Sequence, residues 1–294
     1  MTWSDDRPSP HPSSDPGEVG AGVRLGIIGL GRMAQALLLP LLESGDIPLP
    51  SVRAAVASER SAERLRADLG LAVGTDPLPP WRAPVVLLAV KPQQLDPLAD
   101  LLACRDAAAP PGPQSPPPRL LISVLAGVNL ARLQRLFPTS LCVRAVPNTP
   151  ALVRSGLTGL AWGEGVDTER RAWVRALFAR VGEVLELPES QLDAFLALTS
   201  SGPAFVALVA EAMADGAVAA GLPRALASHL AHRTLAGTAA LLQERELHPG
   251  QLKDMVSSPG GTTIAGLRQL ERSGLRSALL EAVVAAAERS RELA

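Results

Sequence analysis

Tyrosine is absent from all 294 residues. That absence rules out any mechanism that needs a phenolic acid or base, including the Tyr/Lys pair of short-chain dehydrogenases. Histidine is scarce, at four residues: His11, His229, His232 and His248. His229 and His232 are spaced i, i+3 on one helical stretch, but no Asp, Glu or Cys stands at ligand spacing beside them, so no metal site is expected. The two cysteines, Cys104 and Cys142, are isolated and match neither a metal motif nor a disulfide framework. They read as buried apolar fillers in a reducing compartment. Charge of one sign is missing too: 28 basic residues against 29 acidic leave a formal net charge of −1. That balance makes no electrostatic case for nucleic acid or an anionic membrane. The longest apolar runs read as far short of a membrane span. Residues 1–22 lack the basic start and apolar stretch of a secretory signal. These readings together imply a cytoplasmic protein with neither a membrane nor a nucleic acid as partner.

Hydrophobic residues make up 47% of the chain, and its length is enough for one large domain or two ordinary ones. Residues 1–22 are rich in Pro, Ser, Asp and Gly and read as a disordered tail. From Val23 onward, short apolar runs alternate with helical patterns. "VRLGII", "SVRAAVAS", "APVVLLAV", "RLLISVLAG", "LCVRAVP", "LTGLAWG" and "EVLEL" read as strands, most of them with a helix after them. Such alternation predicts a parallel sheet with helices on both faces over residues 23–187. "AAAPPGPQSPPP" (Ala107–Pro118) reads as a stiff surface loop, with a polyproline ligand as the alternative. From Glu189 the pattern becomes helical throughout. Several helices, Pro203–Gly221 above all, are apolar on more than one face, which suggests burial between subunits. The expected fold class is therefore α/β, a Rossmann-like doubly wound sheet followed by an all-helical dimerisation domain over 188–294.

The first strand runs into Gly26-Ile27-Ile28-Gly29-Leu30-Gly31-Arg32-Met33-Ala34, whose core is G-x-G-x-x-A. Gly29 permits a tight turn, Gly31 lets a pyrophosphate approach the backbone, and Ala34 allows close helix–strand packing. Ile28, Gly29, Leu30, Gly31, Arg32 and Met33 are thus candidate cofactor-binding residues. The end of the second strand selects between nicotinamide cofactors. NAD sites usually place an acid there; here the stretch is Ala57-Ser58-Glu59-Arg60. Ser58 and Arg60 suit a 2′-phosphate and favour NADPH, while Glu59 leaves NADH as the alternative. "AVKP" (Ala89, Val90, Lys91, Pro92) ends the most buried strand, where ligands of open sheets bind. Lys91 and Lys253 are the only lysines in a chain otherwise committed to arginine; at Lys91 an ordinary solvated strand end competes with a cofactor contact. "VPNTP" (Val146–Pro150) fixes a turn at the same edge and brings in Asn148.

Near the C-terminus, Ser258-Pro259-Gly260-Gly261-Thr262-Thr263 interrupts a helical region. Tandem glycines before a helix can gather backbone N–H groups into an anion site for a carboxylate or phosphate. The competing reading is a helix–helix loop with a threonine N-cap.

The stretches "GLGRMAQA", "LLAVKPQQ", "RAVPNTPALV", "SSGPAF", "AGLPRALA" and "HPGQLKDMVSSPGGTTIAGLRQLE" together resemble the pyrroline-5-carboxylate reductase family, over Val23–Leu293. The resemblance implies NAD(P)H-dependent reduction of L-1-pyrroline-5-carboxylate to L-proline by a dimer that assembles further, often into a ring of ten chains. It places the N–H groups of Gly260, Gly261 and Thr262 on the substrate carboxylate and the Thr263 hydroxyl on the ring nitrogen. Because a neutral threonine is a weak acid, Thr263 is expected to orient the protonated imine and relay a solvent proton. Glu189 matches an acidic position near the substrate, with a helix N-terminal charge as the alternative. Lys253 reads as structural, through Asp254 or the end of its helix. Val146, Ser200 and Phe205 depart from the family's usual Met, Gly and Tyr. A reductase of a related imine acid, a hydroxyacid dehydrogenase and a non-catalytic relative are the competing functions.

Overall fold

The computed structural model describes residues 24–45, 47–106 and 118–293; the expected tail and most of the Pro-rich loop lie outside them. Element order begins β1 (Leu25–Ile28), α1 (Arg32–Glu43), β2 (Val52–Ala55), α2 (Glu59–Leu69), β3 (Ala72–Gly74), α3 (Leu78–Trp81), β4 (Val85–Leu88), α4 (Leu95–Asp106) and β5 (Leu120–Ser123). It continues with α5 (Leu130–Leu136), β6 (Leu141–Pro147), β7 (Gly156–Trp162), α6 (Thr168–Ala179) and β8 (Gly182–Glu186). Helices then follow one another: α7 (Leu192–Thr199), α8 (Gly202–Ala219), α9 (Arg224–Glu244), α10 (Pro249–Met255), α11 (Thr262–Arg272) and α12 (Leu275–Glu292).

The strands form a sheet in the order β3-β2-β1-β4-β5-β6-β7-β8. Pairings β3–β2, β2–β1, β1–β4 and β4–β5 are all parallel. Strand order reverses direction at β1/β4, and the carboxyl end of such a switch point is where open sheets bind ligands. β1, β4 and β5 are buried at every residue, so each reads as a continuous apolar run rather than an alternating one.

The chain divides into two compact units that interleave in sequence instead of breaking once near 188. The first runs to Ser123 and adds Leu133–Val143 and Trp162–Arg180; the second takes Val124–Arg132, Arg144–Ala161 and Val181–Ala294. The first unit holds β1 through β5. There α1 buries Ala34, Leu37, Leu38 and Leu41 on one stripe, and α2 starts at its Ser58 cap and stops at Gly70, whose φ of 66° is left-handed. Strand β3 and helix α3 escape the sequence reading because three residues and a double-proline turn carry no periodicity. Helix α3 still matters: Trp81 packs 5.2 Å from Phe137, and the Arg119 guanidinium lies 4.0 Å over the Trp81 ring. A side chain at Gly26 would meet the Pro80 carbonyl at 1.8 Å, so β1 needs glycine there.

The second unit contains the helices from α7 on. Small residues Ala214, Ala227 and Ala231 form the seam between α8 and α9, which lets the two helices approach closely. One expectation is overturned here. Glu189–Ala219 is long and apolar enough to pass as a membrane span by length and composition, with mean hydropathy 1.6. The run is not one continuous helix, since α7 ends at Thr199 and α8 starts at Gly202. Only 17% of its window is buried, so these helices present apolar surface outward; Leu198, Val206 and Leu208 are 64%, 53% and 66% exposed.

Candidate active site

The turn after β1 is shaped by its glycines. Gly29 has φ +93°, and a Cβ there would meet the Ala89 carbonyl at 2.5 Å. Its N–H donates to Ala55 O at 2.8 Å, and the Ala89 N–H donates to Ile28 O at 2.8 Å. The carboxyl ends of β2, β1 and β4 are thereby stitched together with glycine as the one residue that fits. Gly31 is different: it N-caps α1 in extended conformation, with no side-chain cap and no acidic residue in the first turn. A Cβ added at Gly31 has nothing within 4 Å. The first intrahelical donor is Gln35, to Gly31 O at 2.9 Å, which leaves the N–H groups of Arg32, Met33 and Ala34 without helical acceptors. Open space beside an uncapped helix N-terminus fits a pyrophosphate. Ala34, wholly buried, keeps α1 tight against the sheet.

Beside this turn, Ser58 caps α2: its Oγ accepts from Ser61 N–H at 3.4 Å and donates to Ser61 Oγ at 3.0 Å. Glu59, the residue that complicated the cofactor reading, pairs with Arg66 along α2. Arg60 is exposed and has no ion-pair partner among the described residues. Its guanidinium and the α2 N-terminus can take a 2′-phosphate. At the end of β4, Ala89, Val90 and Pro92 are half-buried and Lys91 is exposed; the Lys91 N–H donates to Gln94 Oε1 at 3.3 Å. The first unit thus brings Ile28–Met33, Ser58, Arg60 and Ala89–Pro92 to three adjacent strand ends.

In the second unit, Ser258-Pro259-Gly260-Gly261 is a tight turn, closed by Gly261 N–H to Ser258 O at 3.0 Å. Pro precedes Gly260, whose φ is +69°, the pattern of a type II turn. One expected role needs correcting: the Gly261 N–H is spent on closing the turn and is not free for a carboxylate. The next donor in use is Ala265, to Gly261 O at 3.3 Å. The N–H groups of Gly260, Thr262, Thr263 and Ile264 have no hydrogen-bond acceptor among the described residues. Helix α11 begins uncapped, without an acidic first turn, so its dipole favours an anion there. Its N-cap is Gly261, so the threonine cap of the competing loop reading is absent. Thr262 is exposed and Thr263 half-buried, and neither hydroxyl is hydrogen-bonded among the described residues.

Asn148 and Glu189 face inward. Asn148, 5% exposed, donates from Nδ2 to Thr199 O at 2.9 Å and accepts the Leu157 N–H at 2.8 Å. Its amide braces the Pro147–Pro150 turn against α7 and β7. Glu189 Oε1 accepts the Leu130 N–H at 2.6 Å and Arg144 Nη1 at 3.4 Å. The partners of Glu189 went unnoticed in the sequence, although an arginine inside the apolar strand "LCVRAVP" is itself a signal that buried acids wait for it. A cavity of about 1380 Å³ in this unit is lined by Asn148, Thr199, Pro203, Val206, Glu211 and His232, among others. Among the described residues no group of three or more His, Cys, Asp and Glu is placed to hold a metal ion.

Comparison with known proteins matches both parts. A family model described as "Pyrroline-5-carboxylate reductase dimerisation" covers residues 189–293, and one described as "NADP oxidoreductase coenzyme F420-dependent" covers 24–127. The chain is 45% identical over 272 residues to pyrroline-5-carboxylate reductase of Synechocystis sp., spanning 92% of this chain and 98% of that protein. It is 39% identical over 271 residues to the Arabidopsis thaliana enzyme of the same name, spanning 92% and 95%. Among solved structures, a pyrroline-5-carboxylate reductase from Coxiella burnetii superposes with TM-score 0.78 at 31% identity, over 92% of this chain and 98% of that one. The Plasmodium falciparum pyrroline carboxylate reductase with NADP bound superposes with TM-score 0.81 at 27% identity, over 92% and 98%.

Proposed function

The chain belongs to the pyrroline-5-carboxylate reductase family, and from that premise we propose that it reduces L-1-pyrroline-5-carboxylate to L-proline with NADPH. It is a nicotinamide-dependent oxidoreductase that acts on a C=N bond. The observation that carries the substrate assignment is the α11 N-terminus, where the N–H groups of Gly260, Thr262, Thr263 and Ile264 and the hydroxyls of Thr262 and Thr263 have no hydrogen-bond partner among the described residues. A cyclic imine acid asks for those two things, a seat for one carboxylate and a hydrogen-bonding group beside the ring nitrogen.

NADPH, when bound, supplies the hydride for the imine carbon. The Gly29–Met33 turn seats the pyrophosphate, and Ala89, Val90, Lys91 and Pro92 border it. Arg60 and Ser58 hold the 2′-phosphate; the pairing of Glu59 with Arg66 supports NADPH over NADH, because the acid that would select a ribose diol is drawn along α2. Thr262 and its neighbours orient the carboxylate, so the ring presents one face. Thr263 would accept the N–H of the protonated imine; hydride addition at the imine carbon then gives the neutral amine, which takes up a solvent proton relayed through Thr263 to become the ammonium product. The helical part from residue 188 joins two copies, burying exposed residues such as Val206 and Leu208, and the resemblance extends the assembly to a ring of ten. A reducing cytoplasm suits its two unbridged cysteines, of which only Cys142 is the buried filler expected, Cys104 being exposed.

The test is oxidation of NADPH and NADH by the purified protein, read at the nicotinamide absorbance with and without L-1-pyrroline-5-carboxylate. Substrate-dependent oxidation that yields proline, faster with NADPH, is expected. Folded protein that oxidises neither cofactor would sink the reading, and a preference for NADH would sink the roles of Ser58 and Arg60.

A further inference from the structure

Arg144 is a buried cation at a strand position that would ordinarily take an aliphatic residue. It is 2% exposed and sits on β6 between Val143 and Ala145. Its Nη1 donates to Glu189 Oε1 at 3.4 Å and its Nη2 to Asp193 Oδ1 at 3.1 Å. Two further donors complete the cluster: Ser290 Oγ, in the last turn of α12, to Asp193 Oδ1 at 2.8 Å, and the N–H of Leu130, which opens α5, to Glu189 Oε1 at 2.6 Å. The Arg144 Nε has no hydrogen-bond partner among the described residues.

Stability does not explain such a cluster. Taking a guanidinium and two carboxylates out of water costs about as much as their attraction returns, and apolar residues of similar volume often serve as well. An unsatisfied Nε makes the balance worse. What directional bonds supply, and apolar packing does not, is register. A second set of bonds lies further along the same strand: Ser200 Oγ donates to Pro147 O at 3.3 Å, and Asn148 Nδ2 to Thr199 O at 2.9 Å. Helix α7 is therefore pinned to β6 at both ends, its first turn by Arg144 and its last by Pro147 and Asn148. The spacing is consistent. Arg144 to Asn148 advances about 13 Å along a strand, and Asp193 to Thr199 about 9 Å along a helix, with the long arginine side chain spanning the remainder. Gly159 seats the helix from the neighbouring strand, since a Cβ there would meet Leu192 and Phe195 at 2.9 Å. The segments so fixed, the start of α5 and the Pro147–Asn148 turn, follow the carboxyl ends of β5 and β6, the ends at which open sheets bind their ligands.

We propose that Arg144 is a positioning residue for imine reduction, acting through Glu189 and Asp193 to hold the Pro147–Asn148 turn, the start of α5 and the last turn of α12 in one register. It touches neither substrate nor cofactor. Glu189 then serves as an acceptor inside this cluster, in place of the substrate contact that the family resemblance implies for it. The proposal rests on the reductase reading above.

The experiment is steady-state kinetics of the full-length protein with NADPH and L-1-pyrroline-5-carboxylate, alongside an NADPH fluorescence titration and circular-dichroism melts. Arg144→Met and Glu189→Ala should each lower kcat about tenfold to a hundredfold, because a misplacement of about 1 Å can cost up to a hundredfold. Their NADPH Kd should stay within about threefold of wild type, and the kinetic isotope effect with 4-deuterated NADPH should rise as hydride transfer becomes limiting. Glu189→Gln, which keeps a carbonyl acceptor for Leu130, should recover most of the kcat lost in Glu189→Ala, and Arg144→Lys part of that lost in Arg144→Met. A folded Arg144→Met with wild-type kcat overturns the proposal. So does a Glu189→Gln protein whose KM for the imine acid rises as far as that of Glu189→Ala with kcat kept, since that pattern belongs to a charged substrate contact. Should Arg144→Met fail to fold, the Glu189 pair decides, its carboxylate being 31% exposed. A wild-type protein without imine reduction removes the reductase reading and this proposal with it.

Discussion

Gly260 and Gly261 stand side by side for different reasons. Gly260 carries a positive φ, +69°, and has open space where a Cβ would be. Gly261 is extended, but a Cβ would lie 2.4 Å from Ser258 Oγ. One residue lets the chain turn and the other lets it close, and the helix behind them then points its unpaired N–H groups outward. Thr263 follows at once, its hydroxyl uncommitted. Thr263→Ala should lower kcat about a hundredfold to a thousandfold, the range expected when one hydrogen-bonding group at the reacting atom is lost. NADPH affinity should hold, because the seat proposed for its pyrophosphate is the β1–α1 turn, away from Thr263 in sequence. Stopped-flow turnover and a cofactor titration check both halves, and an unchanged kcat removes Thr263 from the mechanism. Cys142 has no part in this chemistry: burial pushes its thiol up to about 12, so it stays protonated and unreactive.

Among the elements, α6 shows how a helix end couples to pH. Asp167 caps it, with Oδ1 accepting the Arg170 N–H at 2.8 Å and the carboxylate paired with the Arg170 side chain. The backbone hydrogen bond from Arg170 is the main cause that holds the Asp167 carboxyl below its ordinary value of 3.8. A carboxyl lowered on folding stabilises the native state above that ordinary value and loses its contribution as pH falls through the lower folded one. Asp167→Ala should therefore lower Tm at pH 6, and the gap to wild type should narrow as pH drops below 3.8. Asp167→Asn, still a good cap, should melt closer to wild type at pH 6. Calorimetry across that range is the check, and a gap independent of pH removes the charge from the account. Helix α2, capped by Ser58 and stopped at Gly70, and α6, capped by Asp167, are bounded by residues within their own few positions. Strand β3 and helix α3 are not, because their places are set by β2 and β1, which lie far off in sequence.

For the molecule as a whole, the main surface feature is apolar area on helices that a lone chain leaves bare. Leu208 at 66% and Val206 at 53% exposure lie on α8, inside the region matched by the dimerisation model. Sedimentation of the wild type should give a species well above the 30.6 kDa of one chain. Leu208→Glu should shift it toward that mass, since a carboxylate cannot be buried unpaired. A wild type that sediments as a single chain would remove the interface, and with it the reason for an apolar α8.

Local chemistry was legible from the chain alone. The Gly29–Ala34 turn, the run of parallel strands, the helical second half and the Pro-Gly-Gly break before Thr262 each depend on residues within a few positions of one another. Backbone sterics and short-range periodicity are therefore enough to read them. Tertiary structure decided the rest. That Asn148 spends its amide on Thr199 and Leu157, and that Arg144 reaches Glu189 and Asp193, where Ser290 joins them, are matters of which groups meet once the chain has folded. A buried polar group must find a partner, but only the folded chain determines which partner lies within reach.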